Sequence, residues 1–229
     1  MIPDGRARTP VSRRDRPAKP ALSRQGIVDA ALVIMREEGL GKVTMRRIAT
    51  ALDTGPGSLY VYVRDTEDLH AQILDTLLAP VPAAVPATGP WRDRLKALLA
   101  DYGRVLQTHP TIARMALSTQ PSGPNSLAVA DTILGLLAEG GVSDQVAAWG
   151  LDLLLLYPTA IAVEHGGSPP QKAEGMAQLA TQIATADPAQ YPNVARAGTA
   201  LLSGNGSSRS TWALDVLLDG ILAAQSPPV

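Results

Sequence analysis

Two short apolar repeats separated by a tight corner constrain this chain more than any other feature. Thr44, a preferred N-cap residue, is followed by Met45, Ile48, Ala49 and Leu52 at helical spacing. Asp53-Thr54-Gly55-Pro56-Gly57 then breaks the helix, and Pro56 suits the first turn of a new one. The pattern predicts a short helix over 56–63 with Leu59 and Val63 facing inward. Such a pair meets the physical requirement of a helix-turn-helix. The first helix braces on the DNA backbone, and the second presents its N-terminal residues to base edges in the major groove. An ordinary corner between two helices has the same pattern, so periodicity alone leaves both readings open.

Similar periodicity runs on both sides. Ser23 caps a first helix burying Ile27, Ala30, Ala31 and Ile34, with Gly39 at its end. Asp65 caps a fourth, with Asp68 as a capping-box variant and Leu69, Ile73 and Leu77 inward. Residues 80–90, with Pro80, Pro82, Pro86 and Pro90, read as a non-helical hinge. Helical patterns follow over 91–108 (Leu95, Leu98, Leu99, Tyr102 and Leu106 inward), 111–117, 124–139, and from a Ser143 cap to residue 165. A Pro/Gly break at 166–170 precedes a weaker helix over 171–186. A Gly/Ser-rich loop at 203–210 precedes a last helix over 211–224.

With Leu, Ala and Val to build the core, no Phe and no period-two alternation, the chain reads as all-α. The expected division is a disordered basic arm over 1–20, a three-helix helix-turn-helix domain over 21–78, the hinge over 79–90, and a larger helical-bundle domain over 91–229.

Charge is divided in the same way. Residues 1–64 hold 12 Lys/Arg against 6 Asp/Glu, whereas residues 65–229 hold 8 against 15, so only the N-terminal part suits a polyanionic partner. The arm, which includes Arg13, Arg14 and Arg16, is either a solvated tail or a source of phosphate and minor-groove contacts. The absence of cysteine excludes disulfides, thiolate metal sites and Cys nucleophiles. The N-terminus has no apolar run of the signal-peptide kind. The most apolar stretch, 147–163, is short for a bilayer span and carries Asp152 and Pro158, so a cytoplasmic protein with no membrane contact is expected.

The wording of the N-terminal part separates the two readings of the corner. Ser23-Arg24-Gln25-Gly26-Ile27-Val28-Asp29-Ala30-Ala31-Leu32, Val43-Thr44-Met45-Arg46-Arg47-Ile48-Ala49, Gly57-Ser58-Leu59-Tyr60-Val61-Tyr62-Val63 and Asp68-Leu69 together resemble the tetracycline-repressor (TetR) family over about residues 22–73. The resemblance implies that Thr44 and Arg46 contact phosphate or base, and that Gly55, Pro56, Gly57 and Ser58 sit where the recognition helix meets the groove. Tyr60 and Tyr62 match positions that reach the sugar-phosphate backbone, with core packing as the alternative for each. One position departs from the pattern. Thr66 stands where the family usually has a phosphate-binding Lys, which leaves Arg64 or the arm arginines to replace that contact. The small residues opening the recognition helix point to close approach and thymine-methyl readout.

Beyond the hinge, Trp91-Arg92-Asp93-Arg94-Leu95, His109-Pro110, Gly123-Pro124-Asn125, Tyr191-Pro192-Asn193-Val194-Ala195 and Trp212-Ala213-Leu214-Asp215-Val216-Leu217-Leu218-Asp219-Gly220 resemble the C-terminal domain of the tetracycline-repressor subclass. That implies an effector-binding and dimerisation domain. The homodimer would form through the long helix near 143–165 and the final helix near 211–224. Residues 146–157 are apolar almost all round, which suits burial on two sides, one in the chain and one in a partner. The implied effector pocket takes Leu98, Tyr102, Met115, Ala116, Gln120, Thr132, Leu151 and Leu155, with ordinary core as the alternative for each. Ala116 stands at the position of the subclass's metal-binding His, and Leu98 and Thr132 stand at positions of polar groups that hold the drug. A more apolar effector, with no metal and no other cofactor, is therefore expected.

The leading expectation is a repressor released from a palindromic double-stranded operator when a small-molecule effector swings the fourth helix. Two other readings compete with it. An architectural DNA-binding protein without an effector would bind in a sequence-tolerant, salt-governed way. An all-helical enzyme would need a catalytic constellation, and none stands out around three scattered His residues.

Overall fold

The computed structural model describes residues 21–118, 122–166 and 169–224. The expected arm with Arg13, Arg14 and Arg16, and the effector candidate Gln120, lie outside the described residues. Among the described residues there is no strand. The helices in chain order are α1 (Arg24–Glu38), α2 (Met45–Ala51), α3 (Pro56–Leu59), α4 (Thr66–Leu78), α5 (Pro80–Ala83), α6 (Trp91–Thr108), α7 (Pro110–Ala116), α8 (Pro124–Glu139), α9 (Asp144–His165), α10 (Pro169–Ala184), α11 (Pro192–Ala197) and α12 (Gly206–Ala223).

Capping side chains start the N-terminal helices where the sequence places them. Ser23 Oγ accepts the Gly26 N–H at 3.1 Å, Thr44 Oγ1 that of Arg47 at 3.2 Å, and Asp65 Oδ1 that of Asp68 at 2.8 Å. Asp68 in turn accepts the Arg64 N–H at 2.9 Å. Ile27, Ile34, Ile48, Leu59, Leu69 and Ile73 are fully buried between α1, α2, α3 and α4 or beside them. Each such side chain contributes about 1.5–3 kcal/mol by leaving water.

α4 joins the two parts, packing on α1 on one side and on α7 and α8 on the other. α9 is the axis of the larger part, with α6, α7, α8 and α12 packed around it. At 22 residues it extends past both ends of the apolar stretch 147–163, and it is long and apolar enough to cross a membrane by length and composition alone, a test that the core helix of a water-soluble bundle also passes. Its buried residues Val146, Ala147, Gly150, Leu154 and Ala162 face the surrounding helices. By contrast α10, α11 and the 3-10 turn Gly198–Leu202 pack on one another, and none of residues 173–213 is buried.

Three local expectations are corrected. The proline-rich stretch is not helix-free: Pro80 and Pro82 fall in the first turn of α5, where no N–H is required, and Val81 is buried against the core. The recognition segment is shorter than 56–63. α3 ends at Leu59, and Tyr60–Tyr62 form a turn closed by the Tyr62 and Val63 N–H groups on the Leu59 carbonyl, because the chain must reach extended backbone (φ −158°) at Asp65. Residues 206–210 are helical rather than loop, because Asn205 Oδ1 accepts the Ser208 N–H at 2.7 Å and starts α12 one turn early.

Candidate nucleic-acid interface and regulatory core

The corner between α2 and α3 turns at Asp53, whose φ of 50° lies in the left-handed region that Asp tolerates. The Thr54 N–H closes back on the Ala49 carbonyl at 2.9 Å. This leaves Gly55, Pro56, Gly57 and Ser58 all exposed in a row at the start of α3. Neither Gly55 nor Gly57 has a positive φ, and a Cβ added at either would meet nothing within 4 Å. The fold itself therefore has no use for glycine here. A surface that must be approached closely from outside does.

Of the two neighbouring arginines, one is held and one is open. Arg47 reaches back to α1, its Nε donating to Glu38 Oε1 at 3.0 Å. That hydrogen bond and the Arg47 charge hold the Glu38 carboxyl below its ordinary range. Arg46 is exposed on α2, and among the described residues it makes no side-chain ion pair. Thr44 is exposed at the α2 cap, Tyr60 is 54% exposed, and Tyr62 is half-buried against the core. Thr66 opens α4. The adjacent Arg64 is exposed and pairs with Asp68 at 3.7 Å. Burial raises the Asp68 carboxyl, but the Arg64 backbone hydrogen bond and nearby Arg64 and Arg24 outweigh that and leave it low. Residues 21–64 carry six basic and four acidic residues, a net +2, so +4 of the N-terminal +6 belongs to residues 1–20.

In the larger part, the expected effector residues lie in or against the core. Leu98 and Tyr102 on α6 are buried, while Met115 and Ala116 on α7, Thr132 on α8, and Leu151 and Leu155 on α9 are half-buried. Their polar groups are engaged. The Tyr102 hydroxyl pairs with Thr159 Oγ1 at 3.2 Å, and burial pushes its pKa up. Thr132 donates to the Ala128 carbonyl at 2.7 Å. None of these residues lines either of two neighbouring clefts. One, of about 450 Å³, runs along the opposite side of α6 beside α9 and the start of α12, past Gly103, Gln107, Tyr157 and His165. A second, of about 370 Å³, lies between Leu77, Val81 and Val105.

On the outer side, α9 and α12 share an apolar face. Trp149, Leu153 and Leu156 are 56%, 48% and 53% exposed, and Trp212 and Val216 are 68% and 49%. A groove of about 270 Å³ runs between the two helices over Gly150 and Gly220. The sequence pattern anticipated the α9 half of this face. It did not anticipate two polar features: the Glu38 brace on Arg47, and a buried Asp75 whose carboxylate accepts hydrogen bonds from Asn125 and Ser126 at the start of α8. Their only sequence signal is a charge in an otherwise apolar register.

The comparisons agree with this geometry. Residues 27–73 match the family described as bacterial regulatory proteins, tetR family, and residues 84–225 match the tetracyclin repressor-like C-terminal domain. SCO7704 of Streptomyces coelicor, described as a transcription regulator, superposes with a TM-score of 0.77 at 44% identity, over 92% of this chain and 100% of that one. ActR from Streptomyces coelicolor superposes with a TM-score of 0.78 at 30% identity, over 90% and 97%, and has also been solved in complex with actinorhodin. The transcriptional repressor DrrR1 of Streptomyces coeruleorubidus is 33% identical over 134 residues, 58% of this chain and 49% of that protein. The match spans about half the length of the first curated relatives. The chain belongs to the tetracycline-repressor family of bacterial regulatory proteins.

Proposed function

We propose that this protein is a homodimeric repressor that grips a palindromic operator and releases it when a small, largely apolar effector enters the helical core. The observation that carries the DNA half is the exposed Gly55-Pro56-Gly57-Ser58 edge, with no internal need for its glycines, together with the exposed Arg46 on α2. In this reading the α3 N-terminus enters the major groove. Thr44 and Arg46 take phosphate or base, and Tyr60 and Tyr62 lie along the sugar-phosphate backbone. Arg13, Arg14 and Arg16 supply the phosphate charge that residues 21–64, at net +2, largely lack.

Homodimerisation is typical of the family, and the second copy is assigned to the α9–α12 face. Five large apolar side chains there are about half exposed or more, which a second copy would cover. Residues 173–213, none of them buried, are assigned to the same interface. The effector site is assigned to the space between α6, α7, α8 and α9, around Leu98, Tyr102, Met115, Ala116, Gln120, Thr132, Leu151 and Leu155. The half-burial of five of these residues supports it. Leu98 and Tyr102 are buried there, so an effector that reaches them favours a more open conformer. That is what couples its binding to α4. ActR, 31% identical in its complex with (S)-DNPA, supports ligand binding by this architecture. A cytoplasmic location follows from the proposed role.

The test is operator selection from random duplexes, followed by fluorescence anisotropy at fixed salt on the selected duplex and a scrambled one. A preference of at least about a thousandfold is expected for a specific regulator. Equal binding to both would overturn this reading in favour of an architectural role.

A further inference from the structure

α8 starts at Pro124, and its N-cap position is Gly123, which has no side chain to offer the free N–H groups of the first turn. The acceptor comes from α4, 51 residues before Ser126. Asp75, only 7% exposed, accepts the Ser126 N–H at 2.7 Å and the Ser126 hydroxyl at 2.9 Å on Oδ1, and the Asn125 amide at 3.1 Å on Oδ2. Gly123 is part of the same fit. Its φ is 135°, and a Cβ there would stand 2.4 Å from the carboxyl carbon of Asp75. The loop therefore admits the carboxylate only because residue 123 has no side chain.

We infer that Asp75 is a positioning residue for operator binding: it latches α4 to the first turn of α8 and so sets the separation of the two recognition helices in the dimer. This rests on the repressor reading above. α4 is the element that packs both on α1 and on α7 and α8, so its orientation fixes how the DNA-reading helices sit beneath the core. Apolar contacts along α4 are non-directional and tolerate small slips. Three hydrogen bonds to one buried carboxylate tolerate slips less well, because each is directional and weakens steeply once it is bent or drawn toward about 3.5 Å. Thr132, an effector-site candidate, lies six residues beyond Ser126 on the same helix, about 9 Å along its axis at 1.5 Å per residue. A ligand that displaces α8 therefore pulls on α4 through Asp75.

The chain has no cysteine, so Val61→Cys, at a position 79% exposed, places a single spin label on each recognition corner of the full-length dimer. The inter-label distance distribution is measured without DNA. Affinity for a duplex selected with wild-type protein is measured on unlabelled variants. Asp75→Ala is expected to remain dimeric, to broaden the distance distribution, and to bind the selected duplex about tenfold more weakly, as when the competent fraction falls to a tenth. Asp75→Asn keeps an oxygen for the Ser126 N–H and is expected to recover most of both. A merely structural aspartate would alter melting temperature and leave the distances alone. If Asp75→Ala does not fold, the double variant Asn125→Ala/Ser126→Ala replaces it. That variant removes two of the three donors, keeps the backbone bond, and is expected to broaden the distances in the same direction. A folded variant with wild-type distances and wild-type affinity overturns the latch. Failure of the wild type to select any duplex overturns the repressor reading instead, and the distance measurement, which needs no DNA, still decides the latch.

Discussion

Gly57 offers a test in which stability and function should move in opposite directions. It sits at the second position of α3 with an ordinary negative φ, is exposed, and has open space where a Cβ would stand. Gly57→Ala therefore costs the folded state nothing while removing conformational freedom from the unfolded chain, a gain of about 0.4–1 kcal/mol. For a chain of this size that corresponds to roughly 1–4 °C in melting temperature. Gly57→Leu is accommodated by the free protein for the same reason, since its side chain projects into solvent. In the DNA complex it projects into the groove floor and holds the α3 N-terminus off the base edges. Operator affinity should then fall toward the non-specific level, a loss of about a hundredfold or more. Differential scanning fluorimetry and anisotropy on the selected and scrambled duplexes, at one fixed salt concentration, read both sides. If Gly57→Ala lowers the melting temperature, the glycine serves the fold. If Gly57→Leu binds the operator as wild type does, the α3 N-terminus is not in the groove, and the proposed docking is wrong.

Other expectations follow from the same geometry. Arg46→Ala should flatten the dependence of log affinity on log salt by about 0.9 per phosphate contact, hence about 1.8 for a dimer. Arg47→Ala should leave that slope unchanged, because its guanidinium is turned to Glu38; equal slope changes would refute the distinction. Trp149→Asp combined with Leu153→Asp should shift sedimentation to the monomer and abolish operator binding while α-helical circular dichroism persists. A surviving dimer would move the interface elsewhere. His70 and His109 are both held below the ordinary histidine pKa by burial, so the native state keeps them neutral while the unfolded chain takes up protons. Their contribution is present above the unfolded value near 6.5 and is lost as pH falls through the lower folded values. Melting temperature should therefore drop on acidification from neutral pH, less so in His70→Asn, and a pH-independent profile would contradict this.

Several elements were legible in the residues alone because their causes are local. α6 and α8 have the bounds that periodicity and flanking breakers predict, 91–108 and 124–139. The caps at Ser23, Thr44 and Asp65 need only their own first turns. The helix-turn-helix is equally local, and its wording identified the family. Expectations went astray where a single dihedral or a distant partner decides. Proline forbids a helix interior but not a first turn, so the proline-rich stretch still forms α5. Asn205 starts α12 inside a Gly/Ser-rich run that composition reads as loop.

Tertiary structure alone decided which partners the locally defined residues meet. The resemblance names Arg46 and not Arg47 as a DNA contact, but nothing along the chain says what holds either side chain. Glu38, nine residues upstream on another helix, commits one to the fold and leaves the other available. Asp75 reads as a misplaced charge in an apolar register until α8 arrives, without a cap of its own, to receive it. The full burial of Leu98 and Tyr102 and the half-burial of Met115, Thr132 and Leu151 likewise depend on how α6, α7, α8 and α9 settle together. A sequence lists the side chains that face inward, but whether space remains between them depends on packing across long separations. Periodicity and capping act within a turn or two of helix and so can be read along the chain. Pairing of charges, burial of a carboxylate and the closing of a cavity act between segments, and exist only once the helices have met.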